Sequence, residues 1–500
     1  MSSCRGQAIT RLALAGLTLG SSVGCGDSAE VRVPTGAPQA NAGAGGSAGA
    51  GMGGQPPGTA GEGATSAGGS GGLPGAGEGG TDSGGSPATG GSAGTGLEPA
   101  VDASAAWVFD DAELHTYELT LDPAVWAALQ LNAVDEQYTE ATLRAGDIEL
   151  GRVALRFKGG LGSLVGCFAD DGTRICSKLG MKLKFDEYLP EQRFRGLKRL
   201  NFNAEYWDSS LMRERVAYRV FREMGLVAPR AAHARLVING EYQGVFDVVE
   251  EVDGRFTHDH FVEGNRNGNL YKEQWPNTDD PAALGARLET NEDTADHGAL
   301  LQFHADLAQA AQADLPMVVA RYMDVDSLFA YLAVDTHIID WDGMTTFYCY
   351  DEDCENHNYY LYQHETEPRF ELIPWDLDNT FSLDSPLVGV PGVFDIPTDC
   401  SRRYPASGRM VLAPACDPLL YGLVKSDGAR YVAQLERLIE GPLAPGRIES
   451  WIDTWQAQIE GAVAEDTHGP TLDEFHAEIG RVKNVLVTLR DRVSADRANH

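Results

Sequence analysis

The sequence predicts an α+β fold in two lobes, a β-rich N-lobe followed by a mainly helical C-lobe. Short alternating runs punctuated by glycine turns fill residues 107–250, and two of them are joined across Asn239-Gly240, a strong hairpin signal. From Met323 onward the apolar spacing turns helical, through VDSLFAYLAVDTHIIDWDG and later RIESWIDTWQAQIEGAV and DEFHAEIGRVKNVLVTLRDRV. Within that second region, FELIPWDLDNTF at residues 370–381 reads as an apolar strand that delivers two carboxylates, Asp376 and Asp378, at its tip. Hard cations such as Mg²⁺ prefer oxygen ligands held at fixed positions, and such a strand tip supplies them.

The chain of 500 residues does not begin as a folded domain. Residues 1–25 carry Arg5 and Arg11, the apolar run LALAGLTL, and then Ser22-Val23-Gly24-Cys25, which resembles a bacterial lipoprotein signal. The expected mature chain starts at an acylated Cys25, and Gly26 in the next position favours the outer membrane over inner-membrane retention. An ordinary secretory signal cleaved nearby is the alternative, and either leader exports the chain. Residues 26–100 are rich in Gly, Ala, Ser and Pro with almost no large apolar side chain, so they are expected to form a disordered tether. The lobes are then expected at residues 101–300 and 301–500. No other segment has the apolar run a membrane-spanning helix needs, which leaves the lipid at Cys25 as the expected membrane contact.

Six cysteines downstream of the leader fall into local couples, Cys167 with Cys176, Cys349 with Cys354 and Cys400 with Cys416, a pattern that favours three disulfides in an exported chain. Zinc is the competing reading, but no C-x-x-C or nearby Cys/His set supports it. A formal net charge of −34 argues against nucleic acid as a partner and favours basic or neutral ones.

Along the folded part, the alternating run YELTL gives way to a helical pattern after Asp122-Pro123, a cap followed by proline at the first turn. YTEATLRAG and LGRVALRFK read as strands that end at Lys158-Gly159-Gly160-Leu161-Gly162-Ser163, either a hairpin turn or a loop bringing backbone N–H groups against phosphate. MKLKF alternates basic and apolar residues, with Lys182 and Lys184 on one face. GLKRLNF reads as another strand, and residues 209–224 as a helix with Leu211, Val216, Val220 and Phe221 on its inner stripe and Glu214 within it. The hairpin of residues 231–249 follows. That succession is the order of parts in a kinase N-terminal lobe.

Phosphoryl transfer needs an aspartate near the acceptor hydroxyl, an asparagine and an aspartate on the metal, a lysine on the phosphates and a glutamate to hold that lysine. The sequence offers a candidate for each, in the order kinases place them along the chain: Lys182 or Lys184, Glu214, Asp342, Asn358, and Asp376 or Asp378. On these residues, and on the stretches RFKGGLGS, KLKF, GLKRLNFNAEYWDSSLMRERVAYRVFREMG, VINGEYQGVFDVVEEVD, GNLYK, DWDG, HNYYLY and IPWDLDNTF, the globular part resembles the spore coat protein H (CotH) kinase family over about residues 107–381. The resemblance implies an atypical protein-kinase-like fold and ATP- and divalent-metal-dependent phosphorylation of protein Ser or Thr, with Mg²⁺ and Mn²⁺ both open. It implies that Asp342 orients or deprotonates the acceptor hydroxyl, with Asp340 as the lesser candidate. Asn358 and Asp376 or Asp378 would hold metal, while Lys182 or Lys184, paired with Glu214, would contact phosphates. Lys158, Gly159, Gly160 and Ser163 would cover the phosphates, and residues 249–252, including Glu250, would form the adenine hinge. Envelope or surface proteins, Ser-rich and basic, and the chain itself are the candidate acceptors. The loop from Asp342 to Asn358 is longer than the family pattern, and the site survives only if the extra residues loop outward. A catalytically idle surface protein for adhesion or coat assembly is the alternative reading, and a Ca²⁺ site without nucleotide a third.

Overall fold

The computed structural model describes residues 103–500 apart from 161–163, 170, 351–352 and 407. The leader, Cys25, the tether and Ser163 lie outside the described residues. Seven strands close a barrel in the order β1 (His115–Thr120), β2 (Thr139–Ala145), β3 (Ile148–Phe157), β4 (Met181–Lys184), β5 (Arg199–Asn203), β7 (Glu241–Val249) and β6 (Ala231–Ile238). Closure comes from β1 lying parallel to β6. Period-two alternation sends Leu119, Leu143, Leu155, Leu183, Phe202 and Phe246 into the interior, where all are buried in one hydrophobic cluster. The same alternation puts Lys182 and Lys184 on the opposite face of β4 from Met181 and Leu183. The β6–β7 hairpin turns at Asn239 and Gly240, at φ 53° and 82°, the left-handed pair a two-residue turn of this type requires.

The helix expected from residue 209 begins at Arg213 and runs to Glu223. The reason lies at its start: Asp208 Oδ2 accepts the backbone N–H groups of Met212 and Arg213, each at 2.9 Å, so the preceding residues wrap around that carboxylate instead of extending the helix. Its expected inner stripe of Leu211, Val216, Val220 and Phe221 is buried.

A second hydrophobic cluster unites the mainly helical part. The helices Val325–His337, Gly428–Glu440, Arg447–Glu465 and Leu472–Asn499 pack there beside a three-stranded sheet ordered β12 (Phe370–Pro374), β11 (Tyr359–Gln363), β8 (Leu270–Lys272). The fold is thus α+β and two-lobed, with a β-rich first lobe and a helical second. The barrel strands end at Val249, β8 already pairs with β11, and residue 300 falls inside the helix Gly298–Gln309, so the structural change comes before the expected 300/301 division. No described helix is long and apolar enough to cross a membrane.

A separate four-stranded sheet, β10 (Asp353–Asn356), β9 (Phe347–Tyr350), β14 (Arg409–Leu412) and β13 (Arg403–Ala406), is built from the insertion after Asp342 and a second hairpin that periodicity did not reveal. The three expected cysteine couples are disulfides, of which Cys349–Cys354 closes the first hairpin and Cys400–Cys416 flanks the second.

One buried ion pair fastens the barrel to the C-terminal helices. Lys178 Nζ lies 2.8 Å from Asp466 Oδ2 and donates at 2.6 Å to the Val245 carbonyl. Asp466, at the end of the helix Arg447–Glu465, also accepts backbone N–H groups from Val245, His468 and Gly469. Gly244 leaves room for it, since a Cβ there would stand 2.1 Å from Asp466 Oδ2.

Candidate active site

Strand β12 is buried along most of its length and emerges at Asp376, which is exposed. Asp376 has φ 56° and its N–H donates to the Tyr218 hydroxyl at 3.0 Å. A non-glycine residue in the left-handed region costs energy, and the surrounding contacts hold it there. Trp375 N–H donates to the Asn358 carbonyl at 3.1 Å, which places Asn358 beside this strand tip. Asn358 is itself at φ 60°, and its N–H donates to Glu273 Oε1 at 3.3 Å.

The long loop loops outward. Residues between Asp342 and Asn358 form the β9–β10 hairpin, stapled by Cys349–Cys354 and paired through β9 to β14. Asp342 and Asn358 therefore converge: Asn358 Nδ2 donates at 3.0 Å to both Asp342 Oδ2 and the Asp342 carbonyl. The hairpin adds a contact of its own, for the Tyr348 hydroxyl donates to Asp342 Oδ1 at 2.6 Å. Burial raises the pKa of Asp342, the Tyr348 hydrogen bond opposes that rise, and Asp376 adds to it. Asp340 lies deeper, 4% exposed, with its N–H on the Asp335 carbonyl. Burial pushes Asp340 far above the ordinary carboxylate range, helped by Asp335 and Asp342, and pushes Asp378 up likewise, helped by Asp376. Asp335 is pushed up to about 7 by burial.

The cations are arranged differently from the sequence expectation. Lys158, at the end of β3, donates at 2.9 Å to Asn203 Oδ1, and Asn203 Nδ2 donates at 2.7 Å to Glu214 Oε2. Glu214 is thus linked to Lys158 through Asn203. Lys182 is paired at 2.6 Å with Glu251, whose carboxyl burial would raise but Lys182 and Arg199 hold down at about 2. Lys184 pairs at 2.6 Å with Glu187. Both β4 lysines have carboxylate partners other than Glu214 because they project from the outer face of the barrel wall. Glu250 is gripped by Arg230 and, at 2.9 Å, by His260, which overcome the upward push of burial and hold its carboxyl well below the usual range. Its side chain is therefore a clamp between β6 and the following helix. Gly159 takes φ 135°, and Gly160 accepts the Leu164 N–H at 3.1 Å, so this loop turns directly after Lys158.

Four residues join the site that sequence reasoning did not single out. Asn203 bridges lysine and glutamate, and Lys272 acts with Lys158 as a cation on Asp376. Glu273 holds Asn358, and Tyr348 holds Asp342. Lys272 ends the GNLYK stretch, which was a usable signal. Tyr348 had none, because it lies in the insertion.

The family model described as CotH kinase protein matches residues 155–491. The chain is 28% identical over 200 residues to the inner spore coat protein H of Bacillus subtilis (strain 168), an alignment covering 38% of this chain and 52% of that protein. It is 43% identical over 56 residues to an inner spore coat protein H-like protein of the same organism, covering 11% and 18%. The chain thus spans about half the length of the first relative and less of the second. A solved chain from the Shewanella oneidensis MR-1 toxin–antitoxin complex of HipA, HipB and operator DNA aligns over 64% of this chain and 66% of its own, at 13% identity and a TM-score of 0.25, too distant to carry an argument.

Proposed function

Because this chain belongs to the CotH kinase family, we propose that it transfers the γ-phosphoryl group of ATP to Ser or Thr hydroxyls of envelope or surface proteins, itself included. The observation that carries this reading is the convergence of Asp342 and Asn358 beside the Asp376 strand tip despite the insertion between them. Asp342 takes the role of orienting the acceptor hydroxyl and accepting its proton as the oxygen–phosphorus bond forms and the bond to the leaving ADP breaks. A carboxylate has about four lone-pair sites, so the donors Tyr348 and Asn358 leave room for a third.

The donor set suits a hard divalent cation. Asn358 commits its amide nitrogen to Asp342, which leaves its side-chain oxygen available, and Asp376 is exposed at the strand tip. Asn358 with Asp376 or Asp378 would hold Mg²⁺ or Mn²⁺, which supplies charge neutralisation on the phosphates. Lys158, steadied through Asn203 and Glu214, is the lysine we assign to the phosphates, with Lys272 beside Asp376 as a second cation. The three disulfides support an extracytoplasmic place of action. Lipid attachment at Cys25 and an acidic surface selecting basic, Ser-rich acceptors belong to the same proposal.

The direct test is incubation of the purified chain with γ-labelled ATP and Mg²⁺ or Mn²⁺, alone and with a basic Ser-rich acceptor. Label on protein that requires the metal and is lost in Lys158→Met is expected. No label together with no metal-dependent ATP binding would move the reading to a structural role in coat or envelope assembly. A narrower expectation concerns Tyr348→Phe. Loss of its hydroxyl removes the interaction that lowers the Asp342 pKa, so the acid limb of the kcat/KM profile should move to higher pH, while activity above the limb falls less than tenfold. An unmoved limb in an active variant would sink that assignment.

A further inference from the structure

Behind Glu214, on the barrel side of its helix, three carboxylates meet that the phosphoryl-transfer reading does not use as a group. One oxygen each from Glu205, Glu214 and Asp247 lies within 4.8 Å of the others. They come from three elements: the turn after β5, the first turn of the helix Arg213–Glu223, and β7, where Asp247 pairs across from Asn203. Their exposures are 7%, 1% and 1%.

A second observation points to a ligand. Glu205 Oε2, Glu214 Oε1 and both carboxylate oxygens of Asp247 are buried and receive no hydrogen bond from a permanent donor among the described residues; Glu205 and Glu214 can bond to each other only by sharing a proton. Buried polar atoms are nearly always paired, and leaving one unpaired is costly, the more so when it is charged. The nearest cations make their hydrogen bonds elsewhere, although Arg215 and Lys178 act on Asp247 through space and Arg215 Nε has no hydrogen bond of its own among the described residues. Lys178 is held by Asp466 and the Val245 carbonyl, and Lys158 by Asn203. Arg215 is held by Asp111 and His233. His233 Nε2 stands 3.2 Å from Asp247 Oδ1, but it donates to the Leu211 carbonyl at 2.6 Å, and burial with Arg215 keeps the ring neutral, so it brings no charge.

We propose that Glu205, Glu214 and Asp247 form a binding site for a hard divalent cation such as Ca²⁺, separate in its ligands from the Asn358–Asp376 pair. The donors are all carboxylate oxygens, which select Ca²⁺, Mg²⁺ or Mn²⁺ over thiolate- or imidazole-seeking metals. Ca²⁺ suits an irregular set of carboxylates drawn from three elements, whereas Mg²⁺ demands near-ideal octahedral geometry. Burial raises all three carboxyls, so without a cation the cluster must instead hold protons. The cation would tie the helix to β7. Through Glu214 Oε2, Asn203 and Lys158, its presence would also be felt at the lysine assigned to the phosphates.

The test uses the full chain, stripped with chelator and titrated with Ca²⁺ by calorimetry, with thermal unfolding in parallel. Expected is Ca²⁺ binding that raises Tm, persists in Asp376→Ala, and is weakened at least tenfold in both Asp247→Asn and Glu205→Gln. Should Asp247→Asn not fold, Glu205→Gln alone carries the test. Two results would overturn the site: Ca²⁺ binding untouched by either substitution, or no Ca²⁺ binding at all, in which case a stripped Asp247→Asn protein more stable than the stripped parent marks a proton-sharing cluster. None of these readouts requires phosphoryl transfer, so failure of the kinase reading leaves the test intact.

Discussion

Asp342→Asn is expected to slow phosphoryl transfer by about 10²–10⁴-fold, the range a positioned general base contributes, while leaving the protein at least as stable as before. The side chain keeps its shape, and its carbonyl can still accept from Asn358, but an amide takes no proton from an acceptor hydroxyl. Stability should not fall because Asp342 is carried at a cost. Its folded-state pKa is raised by burial, so the native protein binds this proton more tightly than the unfolded chain does. Stability therefore declines as pH rises from the unfolded pKa toward the raised folded one, and the amide removes that part of the slope. Initial rates with labelled ATP and urea midpoints across pH 4–8 separate the two effects. A rate within threefold of the parent, or a midpoint that drops in step with the rate, would contradict the assignment.

Asp466→Ala should destabilise the fold by about 3–5 kcal/mol, the cost of leaving one member of a buried ion pair without its partner. Lys178 would keep its buried ammonium with the Val245 carbonyl as its one remaining hydrogen-bond partner, and the N–H groups of Val245, His468 and Gly469 would lose their acceptor. Burial already lowers the Lys178 pKa in the intact pair. A companion variant, Lys178→Met with Asp466→Leu, removes the charge along with its partner and should recover part of the loss. The urea midpoint of each variant decides the matter. A loss under about 1 kcal/mol in Asp466→Ala would show that the pair is not the fastening between barrel and C-terminal helices.

What could be read in advance followed the range of each interaction. Strands β1 to β7 were legible because one face of each fills the barrel, which writes period two into the sequence. Asp342, Asn358 and the Asp376/Asp378 pair drew attention because each stands at the end of a patterned element. Lys158 was placed in the glycine loop and its link to Glu214 went unseen, since that link runs through Asn203 on another strand and leaves no local spacing. Lys182 and Lys184 drew attention by their alternation, which marks the outer wall of a barrel as readily as a phosphate site. Glu205 and Asp247 lie 42 positions apart and meet only because β5 pairs with β7, a register no single stretch records.

The stapled hairpin also bears on timing. Tyr348 adjoins Cys349, so the strand that presents its hydroxyl to Asp342 is closed by a bond that forms only under oxidising conditions. A newly made chain in a reducing cytoplasm, where ATP is plentiful and unintended acceptors abound, would lack that closure. Passage to an oxidising compartment would then do more than deliver the protein: it would finish assembling the groups around its proposed base, so that competence arrives together with address.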